Sequence, residues 1–180
     1  MIGLVQAGHM IQYDTDAGRF KYRVSGVCHD DGRILLLQFD GANYWVLPGG
    51  KPELHESASD ALRRELREEL GLDVEVGRLL WVVEDFFVNE NIRYHELGLI
   101  FEIVAGHRGG TGDLYAPQSG VESDGRGLRV RWEPSTALST TSLYPAFLRR
   151  SLRELPAETT HIVVRGTEES NLLGPSTVVP

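Results

Sequence analysis

Three glutamates, Glu65, Glu68 and Glu69, fall within five consecutive positions of the stretch ASDALRRELREEL. Like charges three and four residues apart on a helix repel and cost stability, so such crowding needs a use. On a helical wheel at about 100° per residue the three occupy an arc of roughly 100°. Ala58, Ala61 and Leu62 lie in or beside that arc and Leu66 and Leu70 follow on one side, whereas Asp60, Arg63 and Arg67 take the opposite face. The glutamates are therefore expected on the inward half of the helix. Carboxylates sharing a half-buried face raise one another's pKa or recruit a cation, because desolvation and repulsion both oppose ionisation. Oxygen-only donors at this spacing suit Mg²⁺ or Mn²⁺, hard ions that keep waters and bind phosphate oxygens as well. The chemistry this pattern offers is a metal cradle.

The elements that must position the cradle are legible around it. Ser57, with Asp60 three residues on, marks a helix start, and Gly71 marks its end. Upstream, FKYRVSGVC and RILLLQF read as strands joined by HDDG, a hairpin signal, and YWVLPGG reads as a short strand broken by Pro48 and two glycines. Downstream, residues 72–87 read as one long bent strand or two short ones, and 96–105 and 128–134 as further strands. Residues 106–127, rich in Gly, Ser and Asp, read as a long loop. A second helix is expected over 143–155, with Leu143, Phe147, Leu148 and Leu152 at helical spacing, and HIVVR near the end is a possible strand. Strands on both sides of a central helix make a mixed α/β domain.

Composition sets the frame. At 180 residues, with 41% hydrophobic and 24% charged residues, the chain suits one folded domain. A net charge of -8 argues against extended contact with a nucleic-acid backbone but not against a small anion held through a cation. The single cysteine, Cys28, has no internal partner and reads as a small buried hydrophobe, which fits a reducing cytoplasm. No apolar run reaches membrane-spanning length, and no membrane association is expected. The six histidines lack paired ligand spacing, which argues against zinc. We divide the chain into an N-terminal extension (1–18, of which 1–9 are assigned no role), a main folded domain (19–155) and a C-terminal tail (156–180).

Gly50, five residues, Glu56, seven residues, then Arg64-Glu65-Leu66, one residue, Glu68-Glu69, one residue, Gly71-Leu72 matches the Nudix box at every fixed position, so the chain resembles the Nudix hydrolase family. The likeness covers about 20–150. It implies an α/β/α sandwich with a mixed β-sheet, and hydrolysis of the diphosphate linkage of a small nucleoside diphosphate derivative with Mg²⁺ or Mn²⁺. It further implies Glu65 and Glu69 as metal ligands, Glu68 as a further ligand or base, and the Gly49 carbonyl completing the set. Arg64 and Glu56 would form the ion pair tying loop to helix, with Gly49 and Gly50 allowing the tight turn.

Outside the box, Glu84, Glu90, Glu96 and Glu102 are candidates for a further base, Arg23 for a phosphate contact, and Tyr44, Trp45, Phe86, Phe87 and Trp132 for stacking on a base. The family's marks for ADP-ribose, dinucleoside polyphosphate, NADH and coenzyme A substrates are absent, which leaves nucleoside triphosphates and nucleotide sugars in front. A non-catalytic nucleotide-sensing module and an RNA 5′-end pyrophosphohydrolase are the alternatives. Family members often dimerise, so a homodimer is one expected state.

Overall fold

The computed structural model describes residues 10–107, 119–121, 125 and 127–166. Its strands are β1 (Gln12–Thr15), β2 (Gly18–Asp30), β3 (Arg33–Phe39), β4 (Asp73–Asn89), β5 (Ile92–His107), β6 (Ser119–Val121), β7 (Gly127–Pro134) and β8 (Thr160–Arg165). The helices are α1 (Ala58–Leu70) and the short α2 (Leu148–Ser151). The sheet runs β6-β7-β3-β2-β5-β4-β8, with β1 paired to β2. The β2–β5 and β4–β8 pairs are parallel and the others antiparallel, so the sheet is mixed as expected.

Local signals set the turns. Asp31 and Gly32 both take positive φ in the β2–β3 hairpin, and Glu90 and Asn91 do so between β4 and β5. The Ser57 side chain accepts from the Asp60 N–H, and Gly71 ends α1 in the left-handed conformation at φ 64°. The exposed pairs Arg63–Asp60 and Arg67–Asp73, each at 2.8 Å, confirm the predicted outer face of α1.

Alternation along the strands feeds two cores. Ala61, Leu62, Leu66 and Leu70 of α1 pack with Val24, Cys28, Leu35 and Leu37 on one face of the sheet. On the other face Val83, Ile100, Ile162 and Val164 pack with Leu143, Phe147, Leu148 and Leu152. Cys28 is fully buried, and that burial pushes its thiol up to about 12.

Three expectations change. The second helix shrinks from 143–155 to Leu148–Ser151, although its apolar residues are buried as predicted. Its first residues are drawn into a sheet-like bridge instead: the Trp45 N–H donates to the Ser142 carbonyl at 2.7 Å and the Tyr144 N–H to the Trp45 carbonyl at 2.9 Å. YWVLPGG forms only isolated bridges at Trp45 and Val46, because Pro48 lacks a donor and the backbone from there on bonds to β2 instead, through the Pro48 and Gly50 carbonyls. Most of 106–127 lies outside the described residues, but β6 occupies part of it and β5 runs on to His107. Within the tail, HIVVR lies in β8, paired with β4.

Candidate active site

The loop before α1 threads against β2. The Val24 N–H donates to the Gly50 carbonyl at 2.9 Å, and the Gly26 N–H to the Pro48 carbonyl at 2.9 Å. Gly49 has φ 140°, and a Cβ there would overlap the Val24 backbone. A Cβ on Gly50 would overlap the Glu65 carboxylate. Glycine at 50 is thus what lets a helix carboxylate approach the loop backbone, where the Lys51 N–H donates to Glu65 Oε1 at 3.2 Å.

Arg64 is the latch. Its Nε and Nη2 donate to the two Glu56 oxygens at 2.9 Å each, a bidentate pair, and Nη2 also reaches the Lys51 carbonyl at 3.2 Å. Nη1 reaches Glu65 Oε1 at 3.1 Å and Glu68 Oε2 at 3.2 Å. The guanidinium holds the Glu56 carboxyl below its usual range, while Glu56 and Glu65 push Arg64 further up. A lysine would keep the charge but not the fork. Arg64→Lys is expected to lower kcat/KM by roughly 10- to 100-fold, the usual scale for groups orienting metal ligands, with little change in substrate preference. Steady-state kinetics on two substrates checks both.

The three box glutamates do not share one environment. Glu65 is 6% exposed and Glu69 5%, with both Glu69 carboxylate oxygens buried. The Glu68 side chain is 54% exposed and turned onto Arg64 one turn earlier. The expectation of three inward carboxylates is corrected to two, because at i,i+4 the Arg64 cation captures Glu68. Among the described residues no three His, Cys, Asp or Glu side chains stand as a formed metal cluster. The donor set nonetheless fits Mg²⁺ or Mn²⁺ in kind: it is all oxygen, and the loop glycine leaves the space that the Glu65 carboxylate fills. The Gly49 carbonyl accepts from Arg23 Nη2 at 3.0 Å, which engages one of its two lone pairs.

Glu65 and Gly50 open on a cavity of about 440 Å³. Arg19, Lys21, Arg23, Tyr44, Lys51, Phe87 and Glu96 line it too. Arg23 also donates to the Leu47 carbonyl and Ser25 Oγ, each at 3.3 Å, so it fixes the loop as well as the wall. Glu96 pairs with Lys21 at 2.8 Å. Trp45 is not in the lining: its ring lies under the Arg131 guanidinium at 4.0 Å and packs on the core. Glu102 is taken by Arg78 at 3.1 Å, beside the Pro156 and Ala157 carbonyls, and does not line the cavity either. Glu84 faces His161 at 2.9 Å, Glu90 sits in the β4–β5 turn, Phe86 stacks on His95, and Trp132 lies under Arg33.

Arg19, Lys21, Lys51 and Asp85 line the cavity without having been singled out from the sequence, and Asp85 is the most buried of the four. Asp85 is 9% exposed, lies opposite Glu96 across the β4–β5 pair, and is pushed up to about 7 by burial first and Glu96 second, with Lys21 opposing. A polar break in VVEDFFV was its sole local signal. Between the unfolded value near 3.9 and about 7 the native state holds a proton that the unfolded chain has released, so this group lowers stability as pH rises through that window. Asp85→Asn is therefore expected to melt above wild type at pH 8, by an amount worth on the order of a few kcal/mol, with the gap closing at pH 4. Melting curves at the two pH values check the sign.

A mixed sheet with a helix packed against it is the fold of solved MutT structures. The MutT protein from Bacillus halodurans superposes with a TM-score of 0.66 at 19% identity, covering 87% of this chain and 96% of that one. The MutT NUDIX hydrolase from Burkholderia pseudomallei superposes at 0.53 with 28% identity, over 65% and 84%. The NUDIX domain family model matches residues 20–153, and the chain belongs to this family, the Nudix hydrolases. It is 48% identical over 58 residues to the CTP pyrophosphohydrolase of Escherichia coli K12, covering 30% of this chain and 43% of that protein. It is 34% identical over 98 residues to the uncharacterized Nudix hydrolase YvcI of Bacillus subtilis, covering 54% and 57%. The matches thus span about half the length of these curated relatives.

Proposed function

We propose that this chain hydrolyses the diphosphate linkage of a small nucleoside diphosphate derivative in the cytoplasm, with Mg²⁺ or Mn²⁺, and that nucleoside triphosphates and nucleotide sugars are the leading substrate classes. The observation that carries the reading is the pair of buried carboxylates, Glu65 and Glu69, on the helix that Arg64 latches to the glycine loop, with Glu65 opening on a cation-lined cavity. A module that merely senses a nucleotide has no need of two desolvated carboxylates beside a loop shaped around one of them.

Glu65, Glu69 and the Gly49 carbonyl would hold the metal, which when bound neutralises diphosphate charge and makes its coordinated water more acidic. The chain's own part is positioning. Arg64 and Glu56 fix the angle of α1 against the loop, and the Lys51 N–H holds Glu65 Oε1. Glu68, engaged by Arg64 through Oε2, keeps Oε1 to take the proton of an attacking water. Arg23 on the wall offsets part of the substrate's negative charge.

The test is a substrate panel, nucleoside triphosphates, nucleotide sugars, ADP-ribose, dinucleoside polyphosphates and a triphosphorylated RNA, with and without Mg²⁺. Turnover of a small nucleotide that needs the metal supports the reading. Binding without turnover of any compound supports a sensing module, and turnover of RNA alone supports the 5′-end activity.

A further inference from the structure

The register of three strands places a row of charge across the cavity floor. Lys21 of β2 is level with Glu96 of β5, Glu96 with Asp85 of β4, and Asp85 with Val164 of β8. Lys21 closes on Glu96 at 2.8 Å. Asp85 is left at the end of the row, nine-tenths buried and facing the cavity, and among the described residues nothing donates a hydrogen bond to its carboxyl. Burying a polar group without such partners is costly, so its presence in this wall points to a partner supplied from the cavity.

The surroundings say what shape that partner has. On one side of the row β5 carries Gly98, which has no side chain to stand up from the floor and lies beside Val83. On the other side Phe87 and Tyr94 stack, centroids 4.8 Å apart and planes within 2° of parallel. A flat floor, an aromatic wall and one hydrogen-bonding group at the edge suit a planar heterocycle.

The charge balance says which edge the heterocycle presents. Lys21 is committed to Glu96, and Glu96 stands level with Asp85, so burial and a neighbouring carboxylate both favour the neutral acid. A neutral carboxyl offers an O–H donor beside a carbonyl acceptor. Its strongest match is an amidine edge, a basic ring nitrogen next to an exocyclic amine. That edge can share the acid's proton and return two N–H donors to the carboxylate, a charge-assisted bidentate pair. A lactam edge, as in uracil or hypoxanthine, has no basic nitrogen to share the proton. Guanine presents two donors and matches the ionised form instead.

We propose that Asp85 is the base-reading residue of this cavity and selects nucleotides whose base carries an amidine edge, a cytosine or an adenine, over their lactam counterparts. The proposal rests on the reading above that the cavity takes a nucleotide, and deepens it to a substrate class. Because Asp85 holds its proton below about 7, the preference is larger at pH 6 than at pH 8.

The experiment is calorimetric binding of CMP, UMP, AMP, IMP and GMP to the full chain at pH 6 and pH 8, for wild type, Asp85→Asn and Asp85→Leu. At pH 6 wild type is expected to bind CMP over UMP, or AMP over IMP, by about tenfold or more, the scale of one bidentate base contact. The pair that shows the preference tells the pyrimidine from the purine. Asp85→Leu is expected to bring the ratio to within about twofold, and so is Asp85→Asn, whose amide pairs with an amidine or a lactam edge alike and has no acid proton to share, with the pH dependence lost in both. Equal binding within both pairs, GMP as the tightest ligand, a ratio unchanged in Asp85→Leu, or no binding of any of the five at millimolar concentration overturns the proposal. The two readings fail separately: turnover of triphosphates with no effect of Asp85 on base choice removes this inference alone. An Asp85-dependent binding ratio without turnover of any nucleotide removes the hydrolase alone.

Discussion

Glu69→Gln is expected to lower turnover at least about a thousandfold while the protein stays folded, a loss of roughly 4 kcal/mol of transition-state stabilisation, the scale of metal-assisted catalysis. The side chain is 5% exposed on the inner face of α1, one turn beyond Glu65. An amide of the same shape fills the same buried space and removes the anionic ligand, so the substitution separates chemistry from folding. Nucleotide hydrolysis beside a thermal melt reads both. Activity within tenfold of wild type at an unchanged melting temperature would show that the buried carboxylate is not part of the machinery.

Gly50→Ala is expected to damage the same site from the loop side. The added methyl would overlap the Glu65 carboxylate, and the backbone has little room to yield because the Val24 N–H holds the Gly50 carbonyl at 2.9 Å. Either the loop shifts off β2 or Glu65 leaves the Lys51 N–H. Overpacking of this kind costs typically about 1–3 kcal/mol of stability. Displacing a catalytic carboxylate by an ångström costs on the order of 100-fold in rate. We expect both, read by kcat/KM and denaturant unfolding. A fully active Gly50→Ala protein would mean that the close approach of loop and carboxylate is incidental.

How far the sequence carried the structure follows from the range of the forces involved. The limits of α1 were legible because Ser57 and Gly71 act on backbone groups within one turn. The burial of Glu65 and Glu69 followed from the wheel, since they stand one turn apart among Ala61, Leu62 and Leu66. The exit of Glu68 did not: it lies within the same arc, and capture by Arg64 depends on how that guanidinium divides itself among Glu56, Glu65 and the Lys51 carbonyl.

Non-local pairing was the other blind spot. The stripe of Leu143, Phe147, Leu148 and Leu152 was recognised as core, but not that Trp45 would draw the backbone at its start into a bridge. Trp45 and Glu102 were candidate substrate contacts by residue type, and the fold gives one to the core under Arg131 and the other to Arg78. Asp85 shows the same limit from the opposite side. Parity along β4 puts it on one face with Val83 and Phe87, but the opposing Glu96 and the committed Lys21 come from two strands whose register no local pattern encodes.

The proposed activity depends first on the inner carboxylates of α1 forming a divalent-metal site. The most direct measurement of that site is Mn²⁺ binding to the full chain without nucleotide, followed by the paramagnetic resonance of the free ion, for wild type and Glu69→Gln. Binding by wild type that weakens about tenfold or more in the variant is the predicted result. Equal Mn²⁺ affinity in two equally folded proteins, or no binding by wild type at millimolar Mn²⁺, would contradict it.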